Sequence, residues 1–321
     1  MPTYNKTMLG ERAKELHVVR DTLEKVCRLR DILAFFDSSE LLRNSLALKG
    51  GTAINLLFFT LPRLSVDIDL DFCDNISKEE MLKRREKIRN QIFKYMTAEG
   101  YSINPKSKTP HSLDSLVFDY INAAGVRDNI KIEINYSLRT HVFQTVRRKM
   151  QSDIFDGNFE VNTLSAIEIY ATKTVALMTR AAARDLYDLN YMVRYGLFDE
   201  SEREQYRKCV IFYLAIATET TPTELSYAAM DTITLYKITT DLKPVIRDRD
   251  VFELNQAKHI VRDFLENTLF LLENEREFLR KFKRGYYQPE LLFEDEDVLK
   301  RVCDHPMARW KVARNSDRDA R

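Results

Sequence analysis

The chain has 321 residues, 44% hydrophobic and 31% charged, with a net charge of only +1. That length allows one large domain or two modest ones with a sizeable core, and the charge balance excludes a polycation, so any nucleic-acid contact has to rest on local patches. The four cysteines, Cys27, Cys73, Cys209 and Cys303, form no C-x-x-C pair, which argues against a zinc ribbon or a disulfide framework and fits a reducing compartment.

The first residues, MPTYNKTMLGERAKELH, contain no apolar h-region, so no signal peptide is expected. Apolar residues at helical spacing (Leu16, Val19, Leu23, Val26, Leu29, Leu33) predict one amphipathic helix across residues 8–36. A short helix is expected at 52–59, directly after Gly50-Gly51, and strict alternation predicts a strand at 65–72. Ser77 and Glu80 have the spacing of a capping box ahead of a charged helix to about residue 99. Residues 115–122 and 129–136 read as two strands, a hairpin or neighbours.

Past residue 159 the texture changes. Ser165 and Glu168 form a second capping-box pattern for a helix to 180, and another helix follows at 183–195, where Gly196 stops it. Residues 202–302 have helical periodicity almost throughout, and the basic tail from Ala308 is expected to fray. The chain therefore reads as an α/β domain over 1–160 (a mixed sheet flanked by helices) and an all-helical domain over 161–321. The longest apolar run, Cys209 to Ala217, is too short to span a bilayer, so a cytoplasmic protein without membrane contact is expected.

The chemistry-bearing stretch is SLALKGGTAINLLFFTLPRLSVDIDLDF. Side chains at i, i+2 and i+4 of a strand share a face, so Asp67, Asp69 and Asp71 would point one way and Val66, Ile68, Leu70 and Phe72 the other. Uncompensated, the three acids would repel each other. Mg²⁺ or Mn²⁺ removes the conflict, since such ions take one or two carboxylates and complete their shell with water and substrate phosphates. A calcium loop would need Gly and Glu where Phe72 and Lys78 stand. A solvated edge strand is the ordinary reading of a lone Asp-x-Asp. Against it stands Gly50-Gly51-Thr52 at a predicted helix start, where backbone N–H groups favour phosphate and glycine allows close approach. Glu133, in NIKIEINY, becomes a third acid for two-metal chemistry if its strand lies beside the first.

These blocks, KGGTAINL…LPRLSVDIDLDF, KIEINY and LSAIEIYATKTVALMTRAAARDLYDLNYM, resemble the AbiEii/AbiGii toxin family over about residues 47–192. These are nucleotidyltransferases of the DNA polymerase β-like fold, found in phage-defence and toxin–antitoxin systems. The family pattern carries over onto Gly50, Gly51, Thr52, Ser65, Asp67 and Asp69. Asp71 is an extra acid, and the Arg63-x-Ser65-x-Asp67 spacing favours Asp67 and Asp69 as the metal pair. The resemblance implies that Lys173 contacts the triphosphate and that Asp185 is needed for activity. For Asp185 and Asp188, an Arg–Asp network that only orients two helices stays open.

The expected reaction is attack of an acceptor hydroxyl on the α-phosphorus of an NTP with loss of pyrophosphate, driven by positioning and charge neutralisation. The resemblance implies RNA as acceptor, for characterised relatives the 3′ end of tRNA, and a cognate antitoxin encoded nearby. Two basic clusters, Arg147-Arg148-Lys149 and RKFKRGYYQ from Arg280, could touch RNA or be solvated faces. Transfer to a protein acceptor, phosphotransfer, and a nucleotide- or RNA-binding pseudoenzyme remain alternatives. No P-loop, G-x-G-x-x-G or G-x-S-x-G motif is present.

Overall fold

The computed structural model describes residues 4–150 and 159–319. The chain divides into two compact units. The first holds the described residues of Met1–Arg139, Thr145–Leu164 and Pro244–Asp250; the second holds Thr140–Gln144, Ser165–Lys243 and the described part of Val251–Arg321.

In the first unit, helices α1 (Lys6–Leu16), α2 (Arg20–Ser38) and α3 (Glu40–Ser45) lead into strand β1 (Leu46–Lys49). The single helix expected over 8–36 is broken. His17 adopts the left-handed conformation (φ 56°), and the Val18 N–H closes onto the Ala13 carbonyl at 3.0 Å. The apolar spacing runs across this break without a gap, which is why periodicity alone hides it. Val19, counted among the apolar face, is 49% exposed and caps α2.

After β1 comes α4 (Gly50–Ala53), continued by a π-helical turn at Ile54–Phe58, then β2 (Asp67–Phe72) and α5 (Lys78–Ala98). The capping box at the start of α5 is complete, with the Glu80 N–H on Ser77 Oγ and the Ser77 N–H on Glu80 Oε2, each at 3.2 Å. Strands β3 (Ser102–Ile103), β4 (Leu113–Ile121), β5 (Arg127–Asn135), β6 (Val146–Lys149) and β7 (Glu160–Thr163) complete a seven-stranded sheet in the order β3-β4-β5-β2-β1-β7-β6. β4 and β5 form the expected hairpin around a turn at Gly125 (φ 79°). β2 runs parallel to β5 and antiparallel to β1.

Register makes the sheet two-faced. Ile68, Ile132 and Leu116 are cross-strand partners and fully buried. On the opposite face a polar row crosses four strands: Lys49, Asp69, Glu133 and Ser115. Segment 244–250, remote in sequence, is tied to this unit by backbone bonds from Leu64 N to Val245 O (2.6 Å) and from Asp248 N to His17 O (2.8 Å).

The second unit is helical: α6 (Ala166–Thr179), α7 (Ala183–Tyr195), α8 (Glu200–Ala217), the single turn α9 (Leu235–Lys237), α10 (Leu254–Thr268), α11 (Glu273–Lys283), α12 (Glu296–Val302) and α13 (Pro306–Asp319). Gly196 stops α7 in the left-handed conformation (φ 62°), as expected. The periodicity expected throughout 202–302 fails between α8 and α10, where short turns replace a helix around Pro222 and Pro244. The tail expected to fray is also ordered through α13. Lys311 is buried there, and its ammonium donates to the carbonyls of Thr218 (2.6 Å) and Glu219 (2.5 Å). The run Cys209–Ala217 lies inside α8, and among the described residues no helix is long and apolar enough to cross a membrane.

Candidate active site

The glycine turn and the aspartate strand meet in space. Gly50 has φ +68°, a conformation only glycine adopts at low cost. A Cβ on it would lie 2.7 Å from Asp69 Oδ2, and one on Gly51 would lie 2.5 Å from Arg63 Nη2 and 3.1 Å from Ser65 Oγ. Gly50 is therefore favoured by turn geometry and close approach together, and Gly51 by close approach alone. Thr52 Oγ1 donates to Ser65 Oγ (2.8 Å) and also contacts the Asp67 carbonyl. Asn55, fully buried, donates to the Gly51 carbonyl (2.7 Å) and accepts from the Arg63 N–H (3.1 Å). Side chains thus lock the turn against the segment entering β2. Asn55 carries no recognisable motif signal; its role appears only once residues 51 and 63 are brought together.

The three aspartates differ in their surroundings. Asp71 is 1% exposed, and Lys49 reaches diagonally across from β1 to bind its Oδ1 at 2.6 Å. Burial works against the Lys49 ammonium, yet the charge and hydrogen bond of Asp71, with the charge of Asp69 nearby, outweigh it and raise its pKa above the ordinary lysine value. Asp71 is thereby occupied as a structural partner, a role its sequence pattern does not reveal. Asp67 is half-buried, and among the described residues its carboxylate makes no hydrogen bond or ion pair. Asp69 sits between Lys49 on β1 and Glu133 on β5 by register. Glu133 is paired with Lys131 at 2.8 Å.

Among the described residues no group of three or more His, Cys, Asp and Glu side chains is arranged to hold a metal ion. Asp67 and Asp69 still fit a Mg²⁺- or Mn²⁺-type ion, which needs only one or two protein carboxylates when water and substrate phosphates supply the rest. A partner-free carboxylate beside a glycine turn shaped for close approach is the observation behind that fit.

In the second unit, Ala181 turns the chain between α6 and α7 with φ 50°. This corner folds the first turns of α7 back onto Lys173. The Lys173 ammonium lies 2.8 Å from Asp185 Oδ1 and 2.8 Å from Asp188 Oδ2, all three buried. Arg180 adds a bond to Asp185 Oδ2 at 3.2 Å. Glu168 does not complete the capping box expected with Ser165. Ser165 accepts from the Glu168 N–H, but the Glu168 carboxylate turns inward to accept from the Val142 N–H (2.7 Å), the Phe143 N–H (3.2 Å) and the Tyr213 hydroxyl. Burial holds the Glu168 pKa above the ordinary glutamate range despite these donors and the charge of His141.

Part of each basic cluster is committed. On edge strand β6, Arg147 pairs with Asp37 and with Glu160 of β7, and Arg148 lies over the Phe58 ring at 4.3 Å. Arg280 pairs with Glu273 and Glu277. Tyr287 is turned inward, its hydroxyl on the Val302 carbonyl at 2.6 Å, so only Tyr286 of that tyrosine pair is exposed, at 66%.

The family description "Nucleotidyl transferase AbiEii toxin, Type IV TA system" matches residues 32–284, well over half the chain. No match is found among curated proteins. Among solved structures, MenT4, a nucleotidyltransferase toxin of Mycobacterium tuberculosis H37Rv, is 17% identical, with a TM-score of 0.64, covering 93% of this chain and 99% of that one. At that identity the likeness concerns the fold, and it extends over nearly the whole of both chains. The matched span contains the Gly-Gly-Thr turn, the aspartate strand and the Lys173 corner, and the chain belongs to the AbiEii nucleotidyltransferase toxin family of type IV toxin–antitoxin systems.

Proposed function

We propose that this nucleotidyltransferase toxin moves a nucleoside monophosphate from an NTP onto a hydroxyl at the 3′ end of an RNA, with tRNA as the acceptor. The observation that carries the reading is the pairing of an uncommitted Asp67 with Asp69 beside the Gly50–Gly51 turn. That turn offers backbone N–H groups and space to phosphate oxygens. Asp67 and Asp69 would hold the divalent ion, which when bound supplies charge neutralisation on the triphosphate and on departing pyrophosphate. Glu133, in register with Asp69, would take the proton of the attacking hydroxyl once released from Lys131. Attack on the α-phosphorus forms the new P–O bond as the bond to the β-phosphate oxygen breaks, and pyrophosphate leaves. Lys173 and Asp185 take the roles the family resemblance implies, contact with the triphosphate and a residue required for activity. The Asp185 and Asp188 carboxylates hold the Lys173 ammonium in position. The family context adds a cognate antitoxin as partner.

The test is incubation with α- or γ-labelled NTPs, Mg²⁺ and total tRNA, followed by sequencing of RNA 3′ ends. Label from the α-position on RNA, lost in Asp67→Ala, supports the reading. Label on protein, label from the γ-position only, or binding without transfer would replace it with a protein acceptor, phosphotransfer or a pseudoenzyme respectively.

A further inference from the structure

Helix α7 carries a feature that the transfer chemistry does not use. Tyr187, Tyr191 and Tyr195 recur every fourth residue and stack in sequence. The Tyr187 and Tyr191 ring centroids are 6.2 Å apart at 24°, and those of Tyr191 and Tyr195 are 4.3 Å apart at 29°. Exposure rises along the ladder, from 7% at Tyr187 to 64% at Tyr195. Tyr187 is anchored from below by Phe252, 5.5 Å away. The inner ring is thus fixed by packing, and the outer ring is largely exposed.

The same helix face is basic. At 3.6 residues per turn, positions 184, 187, 191, 194 and 195 fall within a sector of about 100°. Among the described residues Arg184 has no hydrogen bond or ion pair. Arg194 donates only to the neutral oxygens of Asn190 (3.4 Å) and Gln256 (3.0 Å). Neither guanidinium is neutralised by a carboxylate, unlike those of Arg147 and Arg280. Stacked rings flanked by unneutralised cations are what a single-stranded nucleic acid requires. Every base has a π-face, so stacking tolerates sequence, and the cations meet the backbone phosphates.

We propose that the exposed Tyr191–Tyr195 end of the α7 ladder is a stacking platform for single-stranded RNA, with Tyr187 anchoring it from within and Arg184 and Arg194 on the RNA phosphates. The proposal rests on RNA being the acceptor and names the surface that grips it. Between Tyr195 and Arg184 the helix rises about 16 Å at 1.5 Å per residue, enough for a short single strand to lie along it. Arg184 adjoins Asp185, the residue assigned a role in transfer.

The experiment is fluorescence anisotropy with a fluorescein-labelled single-stranded oligoribonucleotide of about ten nucleotides, within the usual site sizes of single-strand binders. It is run beside calorimetric NTP binding and the labelled-transfer assay. Tyr195→Ala should raise the RNA Kd by about 5- to 150-fold, the effect of losing one stacking partner. Tyr195→Phe should retain wild-type affinity. Arg184→Ala should weaken binding and flatten its salt dependence. NTP affinity and the thermal transition of Tyr195→Ala should match wild type. Unchanged RNA affinity in Tyr195→Ala overturns the platform, leaving the ladder to packing or a protein partner. If transfer to RNA is nonetheless Asp67-dependent, only the platform falls. If the wild type neither binds the oligoribonucleotide nor labels RNA, the platform falls together with the acceptor reading.

Discussion

Asp67 and Asp71 lie four residues apart on one strand face, yet substituting them should give opposite phenotypes. Asp67 is uncommitted, so Asp67→Asn should leave the thermal transition in place. Transfer should drop by at least about a thousand-fold, because several kcal/mol of charge stabilisation depends on the ion that Asp67 is proposed to hold. Asp71→Asn strands Lys49 against a weaker partner. It should destabilise the first unit by roughly 2 kcal/mol, less than the loss of a fully buried pair because Lys49 keeps some access to water. Chemical denaturation and transfer rates of both variants check the contrast, and equal losses of stability would refute it. Gly50→Ala combines a left-handed backbone with a Cβ 2.7 Å from Asp69 Oδ2. It should lower stability by at least about 1 kcal/mol and displace Asp69, so the melting temperature and the rate should fall together.

At the scale of the elements, alternation and capping residues made β2, the β4–β5 hairpin and α5 legible from the sequence. These features are local, and each is decided by a few neighbouring residues. The break at His17 was not legible, since apolar spacing continues across it and only the left-handed turn reveals it. Glu168 shows the other kind of miss. Its spacing from Ser165 fits a capping box, but a tertiary claim on the carboxylate by Val142, Phe143 and Tyr213 prevails. Within the site, the Gly-Gly-Thr and Asp-x-Asp motifs were readable, while the Lys49–Asp71 pair and the Asn55 brace depend on strand pairing and chain reversal. Glu168 also yields a pH prediction. Its pKa is raised in the fold, so the native state holds this proton more tightly than the unfolded chain. Its contribution to stability is complete below the unfolded value, near 4.5, and is lost as pH rises through the folded one. Glu168→Gln removes that titration. The stability of wild type relative to the variant should therefore fall as pH increases above about 4.5. Melting curves across pH check this, and parallel profiles would sink it.

On the scale of the whole molecule, neither unit is continuous in sequence. Segment 140–144 belongs to the helical unit, and segment 244–250 belongs to the sheet unit. Cutting after residue 164, a few residues past the change of texture at 159, should therefore leave two incomplete bodies. The fragment 1–164 would lack the acceptor for the Leu64 N–H at Val245 O and the donor for the His17 carbonyl at Asp248 N. The remainder would bury Glu168 without its two backbone donors. Each fragment alone should melt without the cooperative transition of the full chain, and calorimetry of both would show it.

The return of residues 244–250 to the sheet unit also bears on when this toxin becomes dangerous to the cell making it. A ribosome adds about 5 to 20 residues per second, so several seconds separate emergence of the last strand from emergence of the segment that completes its unit. During that interval the nascent chain carries its aspartates on an unfinished scaffold. Any activity that needs the completed sheet unit is thereby deferred until residues 244–250 have been made.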